Sequence, residues 1–437
     1  MRPTSSAFMI LFAVSLIASA GNMGLQSVLP AIGRQFGLVD TLVAGAFALS
    51  ALIWTLVSPF WARLSDRLGR KRVMMIGLGG FIVSMTGFGV AATAGLEGWL
   101  APLVAFGLMA TARGVYGLFG SAAPVASQAY VADRTTAQTR TQSMSLLASA
   151  QGLGTVIGPV LAPVFVLPIV GLAGPLYAFA LIAAAVLVVV WRKLPSGGVV
   201  RIPTAKAPRA SRGLWKDPRI RDYMLFGLLI VSAQAVNISV LGFHVIDEMA
   251  GSGVSIGQAQ PFIAIAMFAG AVGTLMVQWG LIPLLKMQPR DLLRWGAGLA
   301  LAGNVISVLG AGYYGAVVGY GVMSMGVGFA RPGFTAGSSL SVEPHEQGAV
   351  AGLMMSLAGL GFLAPPVIGV ALYEWLEPAP FVGNCLLLAL ALGLCWWSGP
   401  LRRGPPDLPD RDETPGPDLQ PASQPGPEGG RRFAASS

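Results

Sequence analysis

The sequence predicts an all-α polytopic membrane protein with twelve transmembrane helices, and three observations carry that prediction. Hydrophobic residues fill 54% of the 437 positions and charged residues only 11%, too little polar surface to keep a soluble chain in solution. Windows of about twenty apolar residues, the length that crosses a hydrocarbon core, recur along the whole chain. The lysines and arginines fall between them: alternate loops assign 25 of the 28 to one side, leave Arg34 on the other, and put Arg113 and Arg331 inside helices. That asymmetry orients both termini toward the cytoplasm.

The twelve windows are 7–29, 41–62, 73–95, 99–128, 142–167, 172–191, 223–245, 258–281, 292–310, 314–338, 348–372 and 379–400. The first could pass for a signal peptide, since Met1-Arg2-Pro3 precedes an apolar stretch, but the run continues past Asn22 to Leu29 and reads as a retained helix. The segment 192–221 carries many basic residues against the single acid Asp217 and reads as a cytoplasmic linker between two six-helix halves, 1–191 and 222–401. After Leu401 the composition turns to Pro, Gly, Asp and Arg, so 402–437 is expected to be a disordered cytoplasmic tail. The net charge of +9 resides in loops and suits anionic lipid headgroups rather than nucleic acid. Cys385 and Cys395 sit about 15 Å apart along one helix, beyond disulfide reach, and read as reduced packing residues.

The two halves repeat each other. Gly152-Leu153-Gly154 with Pro159 matches Gly359-Leu360-Gly361 with Pro366, in the fifth and eleventh spans. Ala112-Arg113 in the fourth span matches Ala330-Arg331 in the tenth, and Trp61 matches Trp279. Parallel repeats of this kind place a substrate site between the halves near the membrane midplane.

Between the second and third spans runs Ala62-Arg-Leu-Ser-Asp66-Arg67-Leu-Gly69-Arg70-Lys71-Arg72. Gly69 allows the chain to reverse, the cations hold the turn at an anionic surface, and Asp66 can meet a helix N-terminus or pair with an arginine. This run resembles the signature loop of the major facilitator superfamily, Gly-x-x-x-Asp-Arg-x-Gly-Arg-Lys/Arg, departing only at Ala62. The resemblance implies the major facilitator fold, with Asp66, Arg67, Gly69, Arg70 and Lys71 as a gating loop. Asp133, closing Tyr130-Val-Ala-Asp, is expected to join that charge network. The corresponding loop of the second half, around Arg290 and Arg294, lacks the Asp-Arg-x-Gly-Arg core.

An arginine deep in an apolar helix costs about 3 kcal/mol even on insertion scales, unless it meets water, a carboxylate or a ligand. Arg113-Gly-Val-Tyr-Gly117 resembles the superfamily's fourth-helix Arg-x-x-x-Gly motif, which implies proton coupling; the bland reading is an arginine bonded to backbone carbonyls. Arg331 precedes Pro332, which could free a carbonyl for it. Gly154-Thr-Val-Ile-Gly158-Pro159 resembles the Gly-x-x-x-Gly-Pro motif of the antiporter, largely drug-exporting branch, although Ala162-Pro163 replaces the trailing Gly-Gly. Physically, small residues four apart let helix backbones approach and proline bends the helix.

Asn22 and Gln26 share one helical face, as do Gln234 and Asn237, so both pairs are cavity candidates or interhelical glue. Tyr116, Gln151, Asn304, Arg331 and Phe334 are further candidates. The nineteen acids lie in loops, the tail or near helix ends, which favours neutral amphipathic or anionic substrates beside the two arginines. Asp40, Asp133, Asp222 and Asp247 remain as protonation sites. The expected protein is a monomeric, proton-coupled exporter of drug-like or amphipathic small molecules in a bacterial-type inner (plasma) membrane, working by alternating access among lipids. It is not an enzyme and needs neither metal nor cofactor; no nucleotide-binding Gly-x-x-x-x-Gly-Lys-Ser/Thr loop is present. Proton-linked import of a small organic acid or metabolite is the alternative, and a polytopic membrane enzyme or receptor the remote one.

Overall fold

A computed structural model describes residues 5–135, 137–195, 216–310, 312–343 and 346–404. The described residues fold as helices joined by short turns, with no β-strand among them. In the first half run α1 (Ser5–Gln35), α2 (Asp40–Leu68), α3 (Arg70–Leu96), α4 (Pro102–Phe119), α5 (Ala122–Ala132), α6 (Ala137–Leu161) and α7 (Gly174–Lys193). The second contains α8 (Arg221–Ala250), α9 (Gln260–Leu275), α10 (Ile282–Leu285), α11 (Pro289–Leu309), α12 (Gly312–Leu340), α13 (Gln347–Gly361), α14 (Pro365–Trp375), α15 (Ala379–Trp397) and a short α16 (Gly399–Arg403).

Among the described residues, eleven helical stretches are long and apolar enough to cross a membrane. The remaining expected span, 314–338, lies in α12, whose many glycines, tyrosines and serines dilute its hydropathy while leaving a 29-residue helix. Helices overrun the apolar windows by several residues, because intrahelical hydrogen bonding continues where polar side chains reach the headgroups. The central part of the expected linker, 196–215, lies outside the described residues, as do 405–437. The tail boundary shifts: Arg402 and Arg403 belong to α16, where Ser398 accepts a hydrogen bond from the Leu401 amide and Leu401 is fully buried.

Pairs of helices make several single spans. The fourth is α4 followed by α5, interrupted at Gly120-Ser121. In the eighth, a π-helical turn, Met276–Leu281, joins α9 to α10. The eleventh breaks between α13 and α14, where Pro365 and Pro366 withhold two backbone donors. Its counterpart in the first half behaves alike: Pro159 lies inside α6, and beyond Leu161 the chain tightens into a 3-10 turn over Ala162–Phe165.

Two close approaches express the internal repeat. A Cβ on Gly154 would lie 2.7 Å from the Leu16 carbonyl oxygen and one on Gly158 would overlap the Ala20 carbonyl, so α6 presses its backbone onto α1. The Ser19 hydroxyl adds a 2.8 Å bond to the Gln151 carbonyl. In the second half Gly361 approaches α8 at Val231 and Ser232 in the same manner. The small residues shared by the fifth and eleventh spans therefore clamp each onto the first helix of its own half. Between the halves, α2 meets α14, α6 meets α9, and α1 meets α8.

Candidate functional site: a latched recess above a buried arginine

The seam between the halves is tied together at the Arg34 end. Asp40 opens α2, where the helix dipole favours a carboxylate, and is 5% exposed. The Arg34 guanidinium donates from Nε to both Asp40 oxygens at 2.8 and 3.0 Å, and from Nη1 to Asp247 Oδ1 at 2.5 Å. Asp247 belongs to α8, so this arginine spans the two halves. Tyr373 of α14 donates its hydroxyl to Asp247 Oδ2 at 2.7 Å. Thr41 bonds Glu374 through its amide and hydroxyl, and Gln260 donates to Ser27 Oγ at 3.0 Å. Pro30 fills the place a side chain would take on Gly242. Charge-assisted bonds of this kind are about twice as strong as neutral ones.

Beneath the latch lies a small recess of about 20 Å³ between α1, α2 and α8, walled by Gln26, Pro30, Val43, Phe47, Ser239 and Phe243 among others. Arg34 covers it, its guanidinium carbon 5.6 Å from the centre of the Phe243 ring. Phe47 also stacks on Arg113. That arginine is 3% exposed and donates from Nη2 to Asn22 Oδ1 at 2.6 Å. Its guanidinium carbon lies 4.5 Å from the Phe47 ring centre and 4.4 Å from that of Tyr116. Nε and Nη1 are buried with no hydrogen-bond partner. Gly117, four residues on, brings α4 against α2, since a Cβ there would sit 2.7 Å from the Ser50 carbonyl oxygen. A cation–π sandwich and one amide therefore replace the nearby carboxylate that a proton hand-off would use; among the described residues none bonds Arg113.

The structure gathers Asn22 and Tyr116 around Arg113, places Gln26 in the wall of the recess, and separates the second-half candidates from it. Asn237 is 2% exposed and turns into its own bundle, donating to the Ala233 carbonyl and to Asn304 Oδ1, both at 3.0 Å. Asn384 donates to the same two acceptors. A buried amide takes the nearest acceptors, and here they lie on α8 and α11 rather than in the cavity. Phe334, 4% exposed, packs on Gly227 of α8 and is likewise a bundle residue. Gln234 is half-buried, with an amide oxygen lacking a partner. Arg331 is exposed. Around α12, Gly326 and Ala330 touch α11, Phe334 and Gly337 touch α8, and Ser324 and Gly328 touch α9. At 100° per residue Arg331 falls between the α8 and α9 sectors, on the side of the seam.

At the basic end, Gly69 adopts φ 92°, a conformation closed to ordinary L-residues, and links α2 to α3. Arg70 reaches from this turn to Asp133 Oδ2 at 2.8 Å, to Asp66 Oδ1 at 2.5 Å and to Ser65 Oγ at 3.2 Å. Asp133 thus joins the loop through Arg70, while Lys71 Nζ caps the end of α7 by donating to the Trp191 carbonyl at 2.8 Å. Arg67 is exposed. In the second half Arg219 pairs with Asp217 at 2.8 Å and with Glu346 at 3.1 Å. The hydrogen bonds from Arg219 hold the Asp217 carboxyl below the usual carboxylate range.

Sequence reasoning missed the latch. Asp40 and Asp247 were candidates for protonation, yet no spacing rule announces that residues 34 and 247 meet. The available signal was Arg34 itself, the lone cation on its side of an otherwise one-sided charge pattern.

The sequence profile described as Major Facilitator Superfamily matches residues 11–366. The chain belongs to the Major Facilitator Superfamily. Among its relatives, the Bacillus subtilis (strain 168) protein named Multidrug resistance protein 2 is 25% identical over 404 residues, covering 89% of this chain and 94% of that protein. The Escherichia coli Tetracycline resistance protein, class B, is 22% identical over 433 residues, covering 89% and 96%. Solved structures share the major facilitator fold at lower identity. A bacterial homolog of the human lysosomal transporter Spinster, in an inward-facing and unoccupied conformation, gives a TM-score of 0.69 at 14% identity over 92% of this chain and 98% of that one. The human organic anion transporter MFSD10 (TETRAN) gives 0.62 at 18% identity over 90% and 100%. Major facilitator proteins are transporters, not enzymes, and this chain is a multi-pass membrane transporter of small molecules.

Proposed function

We propose that this protein exports drug-like or amphipathic small molecules by alternating access, in exchange for protons, as a monomer in a bacterial-type plasma membrane with both termini cytoplasmic. The observation that carries the reading is the recess between the halves, roofed by cross-half bonds from Arg34 to Asp247 and from Thr41 to Glu374, with a buried arginine beneath it. Such an arrangement suits a carrier whose halves part at the Arg34 end to release a substrate taken up from the basic end. Relatives named for multidrug and tetracycline resistance support export as the direction. Of the four boundary carboxylates, Asp133 and Asp222 are held within their own halves by Arg70 and Arg221. Asp40 and Asp247 face the seam, so a proton on either removes one arm of the latch and favours an open Arg34 end.

Cysteines replacing Thr41 and Glu374 in a variant lacking Cys385 and Cys395 test this reading. Oxidative cross-linking should stop efflux of a fluorescent amphiphile from reconstituted vesicles, and reduction should restore it. Undiminished flux through the cross-linked protein would rule out opening at the Arg34 end. Transport that runs inward under the same proton gradient would favour the importer of an organic acid, which would use the same site in reverse.

A further inference from the structure

The charge at Arg113 lacks a counterion. Removing a guanidinium from water is costly, and cavities that hold one supply carboxylates or saturate its donors. Here one of the three nitrogens is hydrogen-bonded, to a neutral amide, and Nε and Nη1 are buried without a partner. The Phe47 and Tyr116 faces offer partial compensation. Phe47 is also a wall of the recess, so one ring touches both the unsatisfied guanidinium and a recess whose other walls are mainly apolar. Gln26, one helical turn beyond Asn22 on α1, lies at the same boundary. Across the seam, Arg331 adds a second exposed cation with no ion pair among the described residues.

We propose that the substrate is an amphipathic organic anion, its carboxylate or sulfonate accepting hydrogen bonds from Nε or Nη1 of Arg113 when Phe47 swings aside, and its apolar body lying against the recess walls once the halves part and widen it. This rests on the export reading of the same site and specifies its substrate class. The anion supplies the charge that the fold omits, and the apolar walls supply affinity without dictating shape. A permanently cationic amphiphile would meet an uncompensated guanidinium and no carboxylate at this depth, so it should be disfavoured.

A matched pair of probes tests the charge directly: N-dansylglycine and N-dansylglycinamide share one ring system and differ in carboxylate against carboxamide. Fluorescence titration of the wild-type protein in lipid nanodiscs should find the acid bound about 10- to 100-fold more tightly, the value of one charge-assisted hydrogen bond to a buried group. Arg113→Gln should erase that preference by weakening the acid alone, and Arg113→Lys should restore only part of it. Equal affinities for the pair in the wild type, or a preference that survives Arg113→Gln, would overturn the proposal and leave the arginine satisfied by its two rings. Vesicle assays separate the two readings. Export of rhodamine 6G without any preference for the acid would refute the anion site while leaving export standing. An acid preference in binding, with neither probe nor rhodamine 6G moved, would uphold the anion site and refute export.

Discussion

Arg113 and Arg331 follow an alanine at matching places in the fourth and tenth spans, yet the two halves treat them oppositely. Arg113 is buried between Phe47 and Tyr116 and bonded to Asn22, whereas Arg331 is exposed beside Pro332. The contrast extends along each half. Trp61 is buried and donates to the Leu118 carbonyl at 2.7 Å, while Trp279 lies exposed in the π-helical turn. Gly69 makes one basic turn at φ 92°, and Lys286 makes the other at φ 47°, where a side chain is strained. The lesson is that a repeat preserves where a residue sits along a helix but not the rotation that decides what it meets. Asn22 of the first half bonds Arg113 beside the seam, whereas Asn237, Asn304 and Asn384 of the second hold its own bundle together.

The largest expected effect breaks the comparison at the arginines. Arg113→Ala should lower efflux at least about 100-fold, through loss of a buried charged anchor, and Arg331→Ala should weaken apparent affinity less than about tenfold while leaving the maximal rate intact. Initial rates in proteoliposomes, with substrate binding measured separately, check both. Equal losses would mean that the halves use their arginines symmetrically.

A smaller effect is expected at the turns. Asp66→Asn removes one carboxylate from Arg70, and contacts of about 0.3–2 kcal/mol shift a two-state equilibrium up to about thirtyfold. Gly69→Val forces a β-branched residue into positive φ and should lower flux by a comparable factor with insertion retained. Lys286→Gly should instead relieve about 1 kcal/mol of strain and leave flux unchanged. Thermal unfolding in detergent together with vesicle flux reads all three. Loss of flux in Lys286→Gly would give the second-half turn a gating role of its own.

The smallest concerns pH. Because Arg219 depresses the Asp217 pKa on folding, that pair stabilises the protein above the ordinary carboxylate pKa, and the contribution is lost as the pH falls through the lower folded value. Asp217→Asn should therefore melt slightly below wild type at neutral pH, by less than about 1 kcal/mol for so exposed a pair, with the gap closing only below about pH 4. A gap independent of pH would assign the difference to packing.

Much of this architecture was legible in the sequence because it depends on local quantities. Apolar windows located the spans, and the need for positive φ marked Gly69. The small residues at Gly154 and Gly158 announced a close helix approach, although not that its partner would be α1 of the same half. What escaped depends on helix rotation and on pairings remote in sequence. A three-residue spacing put Gln234 and Asn237 on one face, but only the packing of α8 against α11 and α15 shows that the Asn237 side of that face turns inward. The hydropathy of α12 understated its place in the bundle, since its glycines serve packing against α11 at Gly303 and Gly319.

The latch at the Arg34 end has an electrical side. Its charged groups are one guanidinium and three carboxylates, those of Asp40, Asp247 and Glu374. When the halves part there, the mouth would present a collar in which carboxylates outnumber the guanidinium. Such a collar repels external anions and concentrates external cations. An acidic molecule would cross it more slowly in either direction while a cation would be drawn to it, so the sign of the rim sets how fast charged molecules pass the exit.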